Sequence, residues 1–295
     1  MKLHFTKMHA LGNDFVIIDN REAGLKNISC LSKKLCHRKF GIGADQLLLL
    51  YNSTIADFKM RIFNPDGGEA EMCGNGIRCL GKYIWDKKIK SEKLKIKNLK
   101  IETLAGIILL EKKGDLIKVD MGEPVFEAEK IPVSTERRQI PPLPPFSKGG
   151  HGGIINYPLQ IKDKTFKITC VSMGNPHAII VVKDVASFPV SLYGPVIENH
   201  RLFPMRTNTE FIEILNRGNI KMRVWERGAG ETMACGTGAS ASAVASALLG
   251  LTDRKSTVHL LGGKLLIEWS VKNNHVYMTG LAVKVFEGAI EINKI

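Results

Sequence analysis

One cysteine-containing segment of the sequence occurs twice. Residues 59–76 read KMRIFNPDGGEAEMCGNG, and residues 221–238 read KMRVWERGAGETMACGTG. The two segments align without a gap at an offset of 162 residues and are identical at 8 of 18 positions, including Cys73 and Cys235. Three further matches keep this offset: Gly12-Asn13 with Gly174-Asn175, Gln46 with Asn208, and Asn64 with Glu226. A single offset over separated segments predicts a duplicated fold whose two halves present the same loop.

The chain is long enough for two domains. Its 295 residues, of which 44% are apolar, would form two domains of roughly 130 to 150 residues each. We predict an N-terminal domain over residues 1–121 and a C-terminal domain over residues 122–281. No apolar run reaches the roughly 18 to 20 residues of a membrane span, and the chain begins with a strand-like segment rather than a signal peptide. We therefore expect a cytoplasmic protein that does not bind a membrane.

The positive charge of the chain raises nucleic acid as a partner. The formal net charge is +13, and seven lysines lie within residues 87–100. Residues 93–97, however, alternate between Lys and apolar side chains, which is typical of a strand with one solvated face. No aromatic residue is interleaved there to stack on bases. A solvated face is therefore the preferred interpretation, and an RNA-binding protein is kept as an alternative.

The six cysteines divide into two groups. They are Cys30, Cys36, Cys73, Cys79, Cys170 and Cys235. No pair has a C-x-x-C or zinc-finger spacing, so no metal site is predicted, and in a reducing compartment all six are expected to be free thiols. The four outside the repeated loop lie in helix-like or strand-like patterns and are interpreted as buried apolar residues. Cys73 and Cys235 each come directly before a Gly-x-Gly turn.

Periodicity predicts a mixture of strands and helices in the same order in both halves. In the first half the predicted strands are 3–8, 15–19, 45–51, 58–63, 93–97 and 101–104, with a hairpin over 106–121. In the second half they are 166–171, 178–182, 210–215 and 220–225, with a hairpin over 263–279. The predicted helices are 30–39 (with Asn27 or Ser29 as the N-cap), 74–87, 190–200 and 237–250. The last of these is rich in Ala and Ser, which suits a tightly buried helix.

Residues 137–156 differ in composition from the rest of the chain. They read RRQIPPLPPFSKGGHGGIIN and contain four prolines and four glycines. Such a composition does not support a packed core. We interpret this segment as a surface insertion near the start of the second domain.

The position of the two repeated cysteines suggests acid–base chemistry. The first N–H groups of a helix lack internal partners and carry positive potential. A thiol at that position is expected to ionise more easily, and the N–H groups of Gly74-Asn75 and Gly236-Thr237 could bind a carboxylate. If pseudo-symmetry places one thiol on each side of a substrate carbon, one thiolate can remove a proton while the opposite thiol delivers one. Such a site would invert a stereocentre.

Several motifs together resemble one enzyme family. They are MHALGNDF, FNPDGGEAEMCGNGIR, SMGNPH, RTNTEF and WERGAGETMACGTG, in this order over nearly the whole chain. They resemble the diaminopimelate epimerases. The resemblance implies a cofactor-independent enzyme that interconverts LL- and meso-diaminopimelate for lysine and peptidoglycan synthesis, and usually a homodimer. It also implies an α+β fold of two pseudo-symmetric domains, each a β-barrel-like sheet around a central helix, with the C-terminal strand (282–295) returning to the first domain.

The resemblance also implies roles for the matching positions. Cys73 and Cys235 would be the two acid–base groups, and His177 and Glu226 would tune the pKa of the thiols. The substrate-binding positions would be Asn13, Gln46, Asn64, Gly74, Asn75, Asn175, Asn208, Glu226, Arg227, Gly236 and Thr237. The neighbouring Glu226 and Arg227 offer an acceptor for an ammonium group and a cation for a carboxylate, as the second head group of such a substrate needs.

Simpler interpretations of these residues remain open at this stage. Asn13 and Asn175 could serve only to shape turns, Glu226-Arg227 could be a surface ion pair, and His177 could cap a strand. Glu69 and Glu231 are shared by both halves, and we expect them to support the loop rather than to take part in catalysis. The sequence departs from the family pattern at Ala10, where a glycine is expected, and in the Pro/Gly-rich insertion.

Two other enzyme or protein classes compete with this function. The first is a proline or hydroxyproline racemase, an enzyme that resembles the diaminopimelate epimerases in fold and also uses two cysteines. In a thiol redox protein, Cys73 and Cys235 would form a working disulfide. If the two thiols face each other in a cleft, we expect air oxidation to bridge them and to inactivate the enzyme.

Overall fold

A computed structural model describes residues 2–89, 97–134 and 153–291. The chain divides into two compact units. Unit 1 consists of Met1–Asp120 and Thr279–Ile295, and unit 2 consists of Met121–Met278. Among the described residues, no helix has both the length and the apolar character that crossing a membrane requires.

Unit 1 is a sheet wrapped around a helix. Its described elements are β1 (Lys2–Ala10), β2 (Asn13–Asp19), α1 (Ile28–Cys36), β3 (Gln46–Tyr51), β4 (Phe58–Phe63), β5 (Glu69–Ala70), α2 (Gly74–Asp86), β6 (Asn98–Thr103), β7 (Gly106–Lys113), β8 (Leu116–Asp120) and, from the C-terminal part of the chain, β18 (Val283–Glu291). The helix α2 contacts β1, β2, β3, β8 and β18 and is largely buried. The helix α1 packs on β3 and β4. The strand β18 pairs antiparallel with β1.

Unit 2 has the same construction. Its elements are β9 (Tyr157–Ile161), β10 (Lys164–Ser172), β11 (Pro176–Val181), α3 (Val190–Glu198), β12 (Asn208–Asn216), β13 (Asn219–Glu226), β14 (Gly230–Thr232), α4 (Gly236–Leu248), β15 (Lys255–Leu260), β16 (Gly263–Trp269) and β17 (Val276–Leu281), in which the chain passes back to unit 1. The helix α4 contacts β10, β11, β12, β13, β15 and β16.

The order of strand pairings confirms the duplication. In unit 1, β1–β2 is antiparallel, β2–β3 parallel, β3–β4 antiparallel, β4–β6 parallel and β6–β7 antiparallel. In unit 2, the pairings β10–β11, β11–β12, β12–β13, β13–β15 and β15–β16 follow the same alternation. The predicted α+β fold, with a sheet around a central helix in each half, is therefore confirmed.

The composition of α4 explains how it fits inside its sheet. Its Ala and Ser side chains are almost all buried, as predicted. Small side chains let the surrounding strands approach the helix backbone closely. The buried hydroxyls of Ser240 and Ser246 donate to the backbone oxygens of Gly236 (3.0 Å) and Ser242 (2.7 Å), one turn earlier. The helix therefore buries its hydroxyl groups without leaving them unpaired.

The first helix differs from its prediction. It runs over Ile28–Cys36 and ends before residue 39, because His37 has an extended backbone. Asn27 precedes it in a left-handed conformation (φ 52°) and makes no side-chain cap, and Ser29 lies inside the helix. Cys30 is exposed rather than buried, because it lies on the face opposite the residues that pack on the sheet. The other three cysteines outside the repeated loop are buried, as predicted.

Several other predictions need correction or lie outside the described residues. The helix predicted over 190–200 ends at Glu198 and contains Pro195. The strands β5, β9, β14 and β15 were not predicted, because two are only two or three residues long and the others lack a clear alternation. Residues 93–96 of the strand predicted over 93–97, and residues 137–152 of the Pro/Gly-rich segment, lie outside the described part of the chain.

Candidate active site

Each repeated cysteine is the N-cap of a central helix. In unit 1, the Sγ atom of Cys73 accepts a hydrogen bond from the backbone N–H of Gly76 (3.4 Å). In unit 2, the Sγ atom of Cys235 accepts one from Gly238 N–H (3.4 Å). Both cysteines have extended backbones, as N-cap residues do. The two halves therefore hold their thiols in the same local geometry, as the sequence repeat predicts.

In unit 1, the side chain of Asn13 contacts the thiol and is held by two neighbouring polar side chains. The Oδ1 atom of Asn13 accepts from Asn75 Nδ2 (3.3 Å) and lies 3.8 Å from Cys73 Sγ. The Nδ2 atom of Asn13 donates to Asp45 Oδ2 (2.9 Å), and Asp45 in turn accepts from Arg38 (2.6 Å). The orientation of the Asn13 amide is thus set by a carboxylate on one side, and its oxygen faces the thiol. Asn13 therefore does more than shape a turn.

The equivalent positions in unit 2 form a different set of contacts. Asn175 Nδ2 donates to Thr237 Oγ1 (3.3 Å), and Thr237 Oγ1 lies 3.5 Å from Cys235 Sγ. The Oδ1 atom of Asn175 lies 3.0 Å from His177 Nε2. His177 is fully buried, and its Nδ1 atom lies 2.7 Å from Glu210 Oε1. His177 is thus linked to the cysteine loop rather than serving as a strand cap.

Glu226 lies beside the second thiol. It forms side-chain hydrogen bonds with Cys235 and with the hydroxyl of Thr232. Burial raises the pKa of Glu226, whereas the hydrogen bonds from Thr232 and Cys235 lower it by a smaller amount. A carboxyl group with a raised pKa next to a thiol can exchange a proton with it. This contact supports the pKa-tuning role that was expected of Glu226.

The expectation that both thiols ionise easily is wrong for Cys235. Burial raises the pKa of this thiol well above its ordinary range, and the carboxylates of Glu226 and Glu210 raise it further. The hydrogen bonds from Thr237 and from the Gly238 N–H lower the pKa by less. The helix N-terminus is therefore outweighed by desolvation and by two neighbouring negative charges. The environment of Cys235 therefore favours the neutral thiol.

Two further candidate residues of unit 1 are hydrogen-bonded to each other. In unit 1, Gln46 Nε2 donates to Asn64 Oδ1 (2.8 Å). The Oε1 atom of Gln46 is buried, and no group in the described part of the chain donates to it. It is a candidate acceptor for a donor group of a substrate, because buried polar atoms are normally paired.

In unit 2, Asn208 holds the backbone near Arg227. Asn208 is buried, its Nδ2 donates to Pro176 O (2.9 Å), and its Oδ1 accepts from Arg227 N–H (2.9 Å). The exposed Arg227 guanidinium donates to Met205 O (3.1 Å). Glu226 and Arg227 are therefore not paired with each other in the contacts described. Glu226 is hydrogen-bonded to Cys235, whereas the Arg227 guanidinium lies at the surface.

Two buried residues near the thiols were missed by sequence reasoning. Arg78 lies on α2 in unit 1 and is fully buried. Its guanidinium donates to Asn75 Oδ1 (2.7 Å) and Gly74 O (3.2 Å), and burial lowers its pKa to about 10. In unit 2, the missed residue is Glu210. Nothing in the local sequence indicates that these two charged residues are buried. The one available signal was that neither has a charged residue at the equivalent position of the other half.

Solved structures show which fold this is. The chain is similar to a phenazine biosynthesis protein of the PhzF family from Bacillus anthracis, with a TM-score of 0.68 and 18% identity over 99% of this chain and 100% of that chain. It is also similar to a hydroxyproline epimerase from Agrobacterium vitis, with a TM-score of 0.66 and 12% identity over 98% of this chain and 92% of that chain. At these identities the likeness shows a shared fold alone.

Curated relatives are much closer in sequence. The chain is 51% identical to a diaminopimelate epimerase of Acetivibrio thermocellus, over 99% of this chain and 100% of the relative. It is 50% identical to diaminopimelate epimerases of Methanococcus maripaludis (98% of this chain and 100% of the relative) and Moorella thermoacetica (97% and 98%). A family model described as diaminopimelate epimerase matches residues 5–127 and 169–285, which include both cysteine loops. The chain therefore belongs to the diaminopimelate epimerase family.

Proposed function

We propose that this protein is a cofactor-independent isomerase that interconverts LL- and meso-diaminopimelate, in the biosynthesis of lysine. The observation that carries the proposal is the pair of N-capping thiols, each at the start of a buried helix within the repeated loop. Inversion of a stereocentre needs an acid and a base of the same kind, because the two groups exchange roles when the reaction reverses. Membership of the diaminopimelate epimerase family supports the choice of substrate.

The proposed reaction consists of two proton transfers at one α-carbon. A thiolate takes the α-proton, and the electron pair of the broken C–H bond moves onto the α-carboxylate. The opposite thiol then donates its proton to the other face of the carbon and becomes a thiolate. Because the pKa of Cys235 is raised, we assign Cys235 as the proton donor in the free enzyme and Cys73 as the base. Glu226 is placed to exchange a proton with Cys235 when the direction reverses.

The backbone at the two helix N-termini would hold the reacting carboxylate. The N–H groups of Gly74-Asn75 and Gly236-Thr237 belong to the first turns of α2 and α4, where N–H groups attract anions. Negative charge that grows on the carboxylate during proton removal would be stabilised there. Glycine at Gly74 and Gly236 leaves room for the substrate to approach the backbone.

The rest of the substrate, including its second head group, would be bound by polar side chains. Gln46 contributes a buried acceptor, and Arg227 contributes a cation for a carboxylate. The remaining expected contacts come from asparagine side chains of both units: Asn13, Asn64, Asn175 and Asn208. A substrate with a single head group, such as proline, would leave this set unused. The hydroxyproline epimerase with which the chain shares its fold is also far more distant in sequence than the diaminopimelate epimerases.

The experiment is an exchange reaction in D₂O without added pyridoxal phosphate. Reduced enzyme is incubated with LL-diaminopimelate, and the stereoisomers are separated by chiral chromatography and analysed by mass spectrometry. Meso product that carries deuterium at the α-carbon is expected. No conversion by enzyme whose thiols are shown to be free would contradict the proposal, and turnover of proline instead would assign the racemase activity.

We also propose that the protein works in the cytoplasm as a homodimer and supplies a peptidoglycan precursor. The family resemblance supports these points, which are finer than the activity itself. Sedimentation velocity of the reduced full-length chain tests the oligomeric state. A single species with the mass of one chain, 32.6 kDa, at the concentrations used for the assay would contradict the dimer.

A further inference from the structure

Unit 2 contains a fully buried pair of ionisable residues. Glu210 and His177 are both 0% exposed, and Glu210 Oε1 lies 2.7 Å from His177 Nδ1. The pair joins the neighbouring parallel strands β11 and β12. Burial of a charge is energetically unfavourable even after the protein has relaxed around it. A pair of this kind therefore needs either a structural or a functional reason.

The other half of the protein shows that the fold does not require this pair. At the offset of 162 residues, His177 corresponds to Phe15 and Glu210 to Leu48. Both of these residues are fully buried in unit 1. Their side chains lie against Gly76: one carbon atom of each is 3.3 Å from the position that a Cβ on this glycine would take. In unit 2, Glu210 Oε1 lies 2.6 Å from the position that a Cβ on the equivalent glycine, Gly238, would take. The same scaffold is therefore built with an apolar pair in unit 1 and with an ionisable pair in unit 2.

The pair is connected to the thiol through an unbroken series of polar contacts. His177 Nε2 lies 3.0 Å from Asn175 Oδ1, Asn175 Nδ2 donates to Thr237 Oγ1 at 3.3 Å, and Thr237 Oγ1 lies 3.5 Å from Cys235 Sγ. Because an amide oxygen only accepts hydrogen bonds, His177 Nε2 carries a proton in this arrangement. The Nδ1 atom then needs a second proton to bond to the Glu210 carboxylate.

We propose that Glu210 is a positioning residue of the active site, which holds His177 as a doubly protonated ring and thereby fixes the Asn175 amide against Thr237 and Cys235. This inference rests on the proposed function, because it assigns a role within that reaction. A ring that donates from both nitrogens binds the Asn175 amide oxygen and the Glu210 carboxylate at the same time.

Three other ionisable groups face this pair. Glu226 and Cys235 interact electrostatically with Glu210 from β13 and from the start of α4, and Cys170 does so from β10. Glu226 also interacts with His177. None of these groups can replace Glu210 at Nδ1, because that atom is already 2.7 Å from the Glu210 carboxylate. The orientation of the ring therefore depends on Glu210 itself.

The first test reads the protonation of the ring directly. Nitrogen NMR spectra of the wild-type protein are compared with those of Glu210→Gln, and the His177 signals are assigned among the eight histidines by their loss in His177→Phe. At neutral pH we expect both ring nitrogens of His177 to carry protons in the wild type and Nδ1 to be unprotonated in Glu210→Gln. A wild-type ring with one unprotonated nitrogen would overturn the proposal, and this readout does not depend on any enzyme activity.

The second test uses the residues that unit 1 carries at these positions. Glu210→Leu leaves Nδ1 facing a methyl group, and we expect it to lower kcat/KM by about 10- to 100-fold, as loss of a hydrogen bond to a charged group does. Glu210→Gln, whose amide can still bond to Nδ1, should retain more activity than Glu210→Leu. A kcat/KM for Glu210→Leu within about twofold of the wild type, less than the smallest hydrogen-bond effect, would overturn the proposal.

A double variant separates folding from function. His177→Phe/Glu210→Leu reproduces the apolar pair of unit 1, and its melting temperature should equal or exceed that of the wild type, because apolar replacements of buried ion pairs are often neutral or stabilising. Its epimerase activity should nevertheless be lost. Wild-type turnover by this variant would show that the pair has no catalytic purpose. Absence of activity in the wild type would instead contradict the proposed function, and the NMR result would still stand on its own.

Discussion

Arg223 donates two hydrogen bonds to Glu231, from Nε (2.7 Å) and from Nη2 (3.1 Å). In unit 1, Arg61 makes the same bidentate contact with Glu69 (2.7 Å for both). Each pair joins the strand before the cysteine loop to the short strand that leads into it. The structure thus supports the expectation that the two shared glutamates hold the loop, and the shared arginines are their partners.

Removal of one of these carboxylates should weaken the fold in a pH-dependent way. The hydrogen bond from Arg61 lowers the pKa of Glu69 below its ordinary range. A group whose pKa is lower in the folded state stabilises the protein above its unfolded pKa, and this contribution is lost as the pH falls through the folded pKa. Because both side chains are partly exposed, we expect Glu69→Gln to cost about 1 kcal/mol or less. Urea unfolding at neutral pH should show the difference, and unfolding at a pH below the folded pKa should not. An equal difference at both pH values would contradict this account.

Replacement of either repeated cysteine should abolish turnover without unfolding the protein. In Cys73→Ala or Cys235→Ala one of the two proton transfers lacks its acid–base group, which is worth at least about 100-fold in rate. Epimerisation of LL-diaminopimelate is measured beside the far-UV circular dichroism spectrum. Cys30→Ala is the matched control, because Cys30 is an exposed cysteine outside both loops, and it should remain fully active. Near wild-type turnover in either loop variant would refute the two-thiol mechanism.

The Cys235 thiol should resist alkylation in the free enzyme. Its pKa is raised by burial and by the neighbouring Glu226 and Glu210 carboxylates, and the thiolate is the reactive form. The neutral thiol therefore predominates at neutral pH, and reactivity appears only as the pH rises toward the raised pKa. Peptide mass spectrometry after brief treatment with iodoacetamide at a series of pH values measures the modified fraction, with the exposed Cys30 as the internal reference. Modification of Cys235 at neutral pH as rapid as that of Cys30 would show that this thiol is ionised.

A methyl group at Gly238 should disturb the second thiol. An ideal Cβ there would lie 2.6 Å from Glu210 Oε1 and 3.3 Å from Cys235 Sγ. We expect Gly238→Ala to lower both the melting temperature and kcat/KM, since overpacking of a buried site costs about 1–3 kcal/mol. Gly218→Ala is the matched control, because the nearest atom to its Cβ would be Asn216 Oδ1 at 3.7 Å, and it should be tolerated. Equal behaviour of the two variants would mean that the packing around Gly238 can relax.

Local patterns in the sequence were sufficient for the parts of the fold that depend on neighbouring residues. The repeat predicted two helices that begin directly after Cys73 and Cys235, and the helices α2 and α4 begin at Gly74 and Gly236. The hairpin turning at residues 114–115 also lies where it was predicted. Such features follow from backbone geometry over a few residues, such as a glycine-rich turn, an alternating strand or a helical period.

Burial and charge at the site depended on the tertiary structure. Cys30 looked like a core residue but lies on the outer face of α1. Cys235 looked like an easily ionised thiol, because sequence shows the helix N-terminus but not the carboxylates of Glu226 and Glu210 around it. A pKa reflects the balance of desolvation and nearby charges in three dimensions, and no local pattern contains that balance.

The repeat and the motifs were therefore enough to predict a duplicated α+β protein with two equivalent cysteine loops and the family to which the chain belongs. The difference between the two loops depends on how the strands pack. His177 and Glu210 are separated by 32 residues that include a helix, and they meet because β11 and β12 pair in parallel at one register. Contacts of this kind are fixed by strand order and register, so the electrostatic difference between the two thiols appears only once the sheet has formed.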